Sequence, residues 1–127
     1  MSIGRRPRVL LADDFPDLVT ALGRLLAQDC EVVGSVADGG AVLEAVARLQ
    51  PDVIVLDLNM PTVSGLEACP RISKAHPHIK VILLTAEKDP GIMRAALAAG
   101  AWAFIEKQAI AEDLLPAIQR ACADQQV

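Results

Sequence analysis

Five times along this chain a short, largely apolar run gives way to apolar residues at helical spacing. The runs cover residues 9–12, 31–37, 53–56, 80–84 and 103–105. Runs this short, largely β-branched and without polar alternation, suit strands covered on both faces, as in a parallel sheet. Between them Leu18, Leu22 and Leu25, then Val42, Val46 and Leu49, then Leu66, Cys69 and Ile72 form helix stripes. Two more stripes follow, at Ile92, Met93, Ala96 and Leu97 and at Leu114, Leu115, Ile118 and Ala121. Strand and helix in alternation imply right-handed crossovers and helices on both faces of one sheet.

Local signals punctuate this pattern. Pro16 suits the first turn of a helix that extends to about residue 28, with Asp14 or Phe15 before it. Gly34 and Ser35 weaken the second strand, and Asp38-Gly39-Gly40 makes a turn. Ser64 caps the third helix, Gly100 ends the fourth, and His76-Pro77-His78 is an exposed loop. Pro70 is tolerable near a first turn and would kink the axis further in; Pro116 is expected near the first turn of the last helix.

A chain of 127 residues, 53% hydrophobic, supports one domain with a full core. Its net charge of −4 argues against gripping nucleic acid by itself. The Arg5, Arg6 and Arg8 cluster reads as a solvated tail. Cys30, Cys69 and Cys122 have no metal or C-x-x-C spacing, so free thiols and a cytoplasmic location are expected. No signal peptide or membrane span is read, so no membrane partner is expected. The expected domain is residues 1–127, core about 7–123, with no output domain in this chain.

In doubly wound sheets ligands bind beyond the carboxyl ends of the strands. The residues there are Asp13 and Asp14, Asp57, Thr85 and Lys107; the second strand offers nothing comparable. The flavodoxin-like order 2-1-3-4-5 puts that second strand at an edge, so the other four ends converge. Like charges ~4 Å apart repel by about 4 kcal/mol at an effective dielectric of 20, so clustered carboxylates need a retained proton or a cation. Oxygen ligands without His or Cys favour Mg²⁺. The set fits phosphoryl transfer to a carboxylate, with Asp57 as nucleophile. Each residue alone has a plainer reading: the Asp13-Asp14 pair as a helix cap, Asp57 as a turn start, Thr85 as a strand end, Lys107 as a solvated charge.

The sequences V-L-L-A-D-D (9–14), D-V-I-V-L-D-L-N-M-P-T-V-S-G (52–65), L-L-T-A (83–86) and G-A-W-A-F-I-E-K (100–107) resemble the receiver domain of bacterial two-component response regulators. L-A-D-D-F-P and E-V-V-G-S-V-A-D-G are similar to the NarL/FixJ-type branch, whose members often carry a LuxR-type DNA-binding output domain. The resemblance implies that Asp57 accepts a phosphoryl group from the phosphohistidine of a sensor histidine kinase. It implies Mg²⁺ held by Asp13, Asp14 or both, with Asp57 and the Asn59 backbone carbonyl. Lys107 would pair with Asp57 and then with the phosphate, and Thr85 would bond a phosphate oxygen. Phe104 holds the switch-aromatic position, with core packing as its plainer reading, and Asn59 and Glu87 flank the approach of hydrolytic water. Phosphorylation would reshape the face made by helix 4, strand 5 and helix 5, with helix 4 the loosest element, and would act on an output domain or partner, including a possible homodimer. DNA would be reached only through an output domain. Chemistry would be limited to self-phosphorylation and self-dephosphorylation, so no enzyme acting on a separate substrate is expected.

Two positions depart from the family's pattern. Gln108 stands where proline commonly follows the lysine, and a cis bond there would cost ~2.5–4 kcal/mol, so the expectation is a trans bond or a strained cis one. Trp102 stands where residues are usually small or polar; it either packs against the preceding helix or anchors a partner. Two rival functions stay open: a degenerate receiver used only for docking, and a haloacid-dehalogenase-like phosphatase. The latter's D-x-D arrangement would need an acid where Asn59 stands.

Overall fold

Successive side chains of a strand point to opposite faces, and here both directions are apolar. A computed structural model describes residues 6–86 and 89–124. Its strands are β1 (Arg8–Ala12), β2 (Glu31–Val36), β3 (Val53–Asp57), β4 (Lys80–Thr85) and β5 (Ala103–Glu106). They form one parallel sheet in the order β2-β1-β3-β4-β5. Leu10, Ile54, Leu56, Val81 and Leu83 face one way, into a core completed by α2 (Val42–Leu49), α3 (Gly65–Ala75) and α4 (Pro90–Ala98). Val9, Leu11, Val55, Ile82 and Leu84 face the other way, toward α1 (Pro16–Leu26) and α5 (Ile110–Asp124). The flavodoxin-like arrangement expected from the alternation is the one found.

The weak second strand is an edge strand. Its pairing with β1 slips between Val9 and Leu10, so Leu10 faces Gly34 rather than Val33. A β-carbon on Gly34 would come within 3.0 Å of Leu49 Cδ1, so the glycine admits the end of α2. Ser64 caps α3 as expected, in a capping box: its hydroxyl accepts from the Glu67 amide and the Glu67 carboxylate accepts from the Ser64 amide.

Several expectations are corrected, and open alternatives are decided. α1 stops at Leu26, short of residue 28. Pro116 is six residues into α5, counted from Ile110, rather than in its first turn; it is exposed, so the Glu112 carbonyl it leaves without a donor is on the solvent side. Pro70 is five residues past Gly65 and also exposed, again placing the missing donor on the outer face. Arg8 is no solvated tail. Its Nη1 donates to the carbonyls of Leu49 (2.9 Å) and Gln50 (2.8 Å), satisfying the end of α2. Arg6 Nη1 donates to the Ala27 carbonyl, and Arg5 lies outside the described residues. Trp102 is half-buried against the α1–α5 core rather than against α4. Cis peptide bonds are absent among the described residues, so the Lys107–Gln108 bond is trans.

Candidate functional site

β1 delivers two acids at its carboxyl end because its apolar run stops at Ala12. Asp13 continues the sheet, its amide donating to the Val36 carbonyl (3.0 Å), and its Oδ1 accepts from the Phe15 amide (2.9 Å). It is 2% exposed. Neither acid caps α1 from the N-cap position: that residue is Phe15, which makes no side-chain cap bond. Asp14 is exposed.

Asp57 ends β3 and is also buried. Its Oδ1 accepts from the Asn59 amide at 3.3 Å. One ligand oxygen from each of Asp13, Asp14 and Asp57 lies within 4.8 Å of the others. Behind them stands Lys107, in a 3₁₀ turn (Lys107–Ala109) entered directly from β5. Its Nζ is 3.3 Å from Asp57 Oδ1 and 3.5 Å from Asp13 Oδ2. Pairing with Asp13 is a feature the sequence did not announce. Burial pushes the Asp57 carboxyl above the ordinary carboxylate range and the Asp13 charge adds to this; Lys107 and the Asn59 amide pull it back.

The residues present fit a hard cation. Asp13 Oδ2 is buried and accepts no hydrogen bond, and the Lys107 ammonium at 3.5 Å, shared with Asp57, offsets only part of the cost of burying it. The all-oxygen donor set is the type that suits Mg²⁺.

Thr85 is fully buried at the end of β4; it follows Leu84, the register partner of Asp57. Phe104 is half-buried, pairs in register with Leu83, and packs on the α2–α3–α4 side. Asn59 is exposed. Glu87 lies outside the described residues.

The chain beyond Asp57 is shaped by two close approaches. A β-carbon on Gly65 would collide with the Asp57 carbonyl, and one on Gly39 with the Val63 carbonyl. Between these points Thr62 adopts φ 70, a left-handed conformation costing a β-branched residue roughly 1–3 kcal/mol. Gly65 was legible as punctuation. The contact of Gly39 with Val63 carries no local signal.

The Response regulator receiver domain family matches residues 9–119. The transcriptional regulatory protein YvfU of Bacillus subtilis is 36% identical over 115 residues, covering 89% of this chain and 58% of that protein. The nitrate/nitrite response regulator protein NarL of Escherichia coli is 34% identical over 121 residues, covering 94% and 56%. A DNA-binding response regulator of the LuxR family from Staphylococcus aureus superposes with a TM-score of 0.84 at 29% identity, covering 91% of this chain and 98% of that structure. The chain thus spans little more than half the length of these two curated relatives.

Proposed function

Because the chain belongs to the response regulator receiver domain family, a signalling module of two-component systems, we propose that Asp57 is its phosphoacceptor and that Asp13, Asp14 and Asp57 hold Mg²⁺ with the Asn59 carbonyl. The observation that carries this reading is the Asp13–Lys107–Asp57 bridge, in which one ammonium faces two buried carboxylates and Asp13 Oδ2 accepts no hydrogen bond. Mg²⁺ bound there supplies positive charge to the phosphoryl oxygens and keeps the acids ionised.

The chain's own residues supply the rest. Lys107 and the Asn59 amide both engage Asp57 Oδ1, a contact that supports Oδ2 as the attacking oxygen. A P–O bond forms to Asp57 as the P–N bond of the donor's phosphohistidine breaks, and the imidazole nitrogen keeps the electron pair. Lys107 then balances charge on the acyl phosphate, and the Thr85 hydroxyl donates to a phosphate oxygen. As Thr85 moves, Phe104 on the neighbouring strand packs inward into the space vacated. Asn59 and Glu87 set the approach of the water that later hydrolyses the phosphate.

The donor is a sensor histidine kinase. The readout face is α4–β5–α5, where Met93 and Leu97 are already 43% and 50% exposed. To turn a 1:99 mixture of conformers into 99:1, phosphorylation must favour the active form by ~5.5 kcal/mol, within the reach of a few charge-assisted hydrogen bonds. The output is transcriptional: it acts through a DNA-binding domain or through a homodimer formed on phosphorylation, in the cytoplasm. The reaction is confined to the chain's own aspartate, with no separate substrate turned over. Among the described residues no helix is long and apolar enough to cross a membrane.

The test is intact-mass measurement after incubation with acetyl phosphate and Mg²⁺. One added phosphoryl group, lost in Asp57→Asn, is expected. No adduct would leave a docking module, and an adduct surviving the substitution would place the nucleophile elsewhere.

A further inference from the structure

The second strand adds no acid to the cluster, yet the turn after it reaches the loop beyond Asp57. Asp38 Oδ2 accepts from Thr62 Oγ1 at 2.9 Å, and the Gly39 amide donates to the Pro61 carbonyl at 3.3 Å. Asp38 Oδ1 meanwhile accepts from the Gly40 amide at 2.6 Å, capping the 3₁₀ turn Gly39–Ala41. Its carboxylate is therefore fixed from both sides. The loop's two ends are fixed separately: the Leu58 amide donates to Leu84 and the Gly65 amide to Leu58, each at 2.8 Å. Between them lie residues 59–64, and the Asn59 amide touches Asp57 Oδ1.

We propose that Asp38, acting through the Thr62 hydroxyl, is a positioning residue for divalent-cation binding at the Asp13–Asp14–Asp57 cluster. The inference rests on the reading of that cluster as a Mg²⁺ site. Thr62 at φ 70 is a conformation a threonine leaves unless something holds it. The turn about Thr62 is closed by the Val63 amide donating to the Pro61 carbonyl at 2.8 Å, and the Asp38 bond braces it from outside; release of that brace lets residue 62 rotate. Pro61, with its ring-fixed φ, passes that rotation on to Asn59 rather than absorbing it. The Asn59 main chain then loses its seat against Asp57. The close contact of Gly39 with Val63 packs the two turns against each other.

Mg²⁺ titrated calorimetrically into metal-free protein tests this, with urea unfolding in chelator as the control. Thr62→Val, which keeps the shape and removes the hydroxyl, weakens Mg²⁺ binding roughly three- to tenfold, the worth of one hydrogen bond. Thr62→Ser, which keeps the hydroxyl, restores it. Asp38→Ser, which keeps a capping oxygen for the Gly40 amide, weakens binding like Thr62→Val, and the double variant is no worse than either. The urea midpoint in chelator stays the same in Thr62→Val and Thr62→Ser. Equal Mg²⁺ affinity in wild type and Thr62→Val overturns the proposal, as does a loss in Thr62→Ser equal to that in Thr62→Val. A wild type that binds Mg²⁺ yet takes no phosphoryl group from acetyl phosphate overturns the phosphoacceptor reading alone, because the affinity comparison needs no transfer.

Discussion

Lys107 stands 3.3 Å from Asp57 Oδ1 while keeping Asp13 Oδ2 at 3.5 Å, so one half-buried ammonium serves two buried carboxylates on different strands. A single cation cannot neutralise both acids. The surplus negative charge is what a second, divalent cation would balance.

Lys107→Ala therefore leaves both acids facing each other in a water-poor site. Acetyl-phosphate-driven phosphorylation should slow by roughly 10²-fold, the usual loss when a preorganised charge is removed. Intact-mass time courses measure it, and a rate within a factor of two of wild type (about 0.4 kcal/mol) would remove Lys107 from the chemistry.

The raised Asp57 pKa has a definite consequence for stability. Between its ordinary value of 3.8 and the higher folded value, the native state binds the proton more tightly than the unfolded chain. Stability from this group is thus present at low pH and lost as pH rises through the folded pKa. In chelator at neutral pH, Asp57→Asn should be more stable than wild type, and that advantage should shrink as pH falls toward 3.8. Urea unfolding at a series of pH values checks it; a constant difference would mean that the fold does not raise the Asp57 pKa.

Mg²⁺ should raise the melting temperature, because it binds the folded acids and not the unfolded chain. At one hundred times its Kd the gain is about 2.7 kcal/mol. Asp13→Asn, which removes the buried carboxylate whose Oδ2 accepts no hydrogen bond, should lose most of this gain. Thermal scans with and without Mg²⁺ decide it.

Gly65→Ala drives a methyl group into the Asp57 carbonyl and within 2.9 Å of Leu58 Cα. The start of α3 must then move off β3, costing roughly 1–3 kcal/mol as overpacked sites do. A urea midpoint close to wild type would show that the loop yields cheaply.

Asn59 touches Asp57 through its amide and is otherwise exposed. Replacing its side chain by a longer or charged one should change the lifetime of the acyl phosphate several-fold without changing the fold. Decay followed by mass spectrometry measures it; an unchanged half-life in Asn59→Arg and in Glu87→Ala alike would discard the tuning role of both.

The strand and helix types and the acids at the strand ends were legible because each rests on local pattern, and the sheet order followed from the flavodoxin-like arrangement such alternation suits. Unbroken apolar runs must be buried on both faces, and chain reversal in a parallel sheet puts every strand's carboxyl end on the same side. Boundaries were less legible. Pro116 sits mid-helix because tertiary packing of Leu114, Ile118 and Ala121 outweighs one missing donor on the exposed face. Trp102 turned to the α1–α5 core, since the direction of a side chain at the start of a strand depends on a register no local signal sets.

The sequence by itself determined which residues carry charge at the sheet's carboxyl edge, because the periodicity of apolar residues dictates where each strand must end. Only the tertiary structure decided how those charges are shared and braced: that Lys107 spans Asp13 and Asp57, and that Asp38 reaches Thr62. These are contacts between residues far apart in the chain, 24 positions in the last case, and their energies exist only once loop closure has brought the partners within a few ångströms.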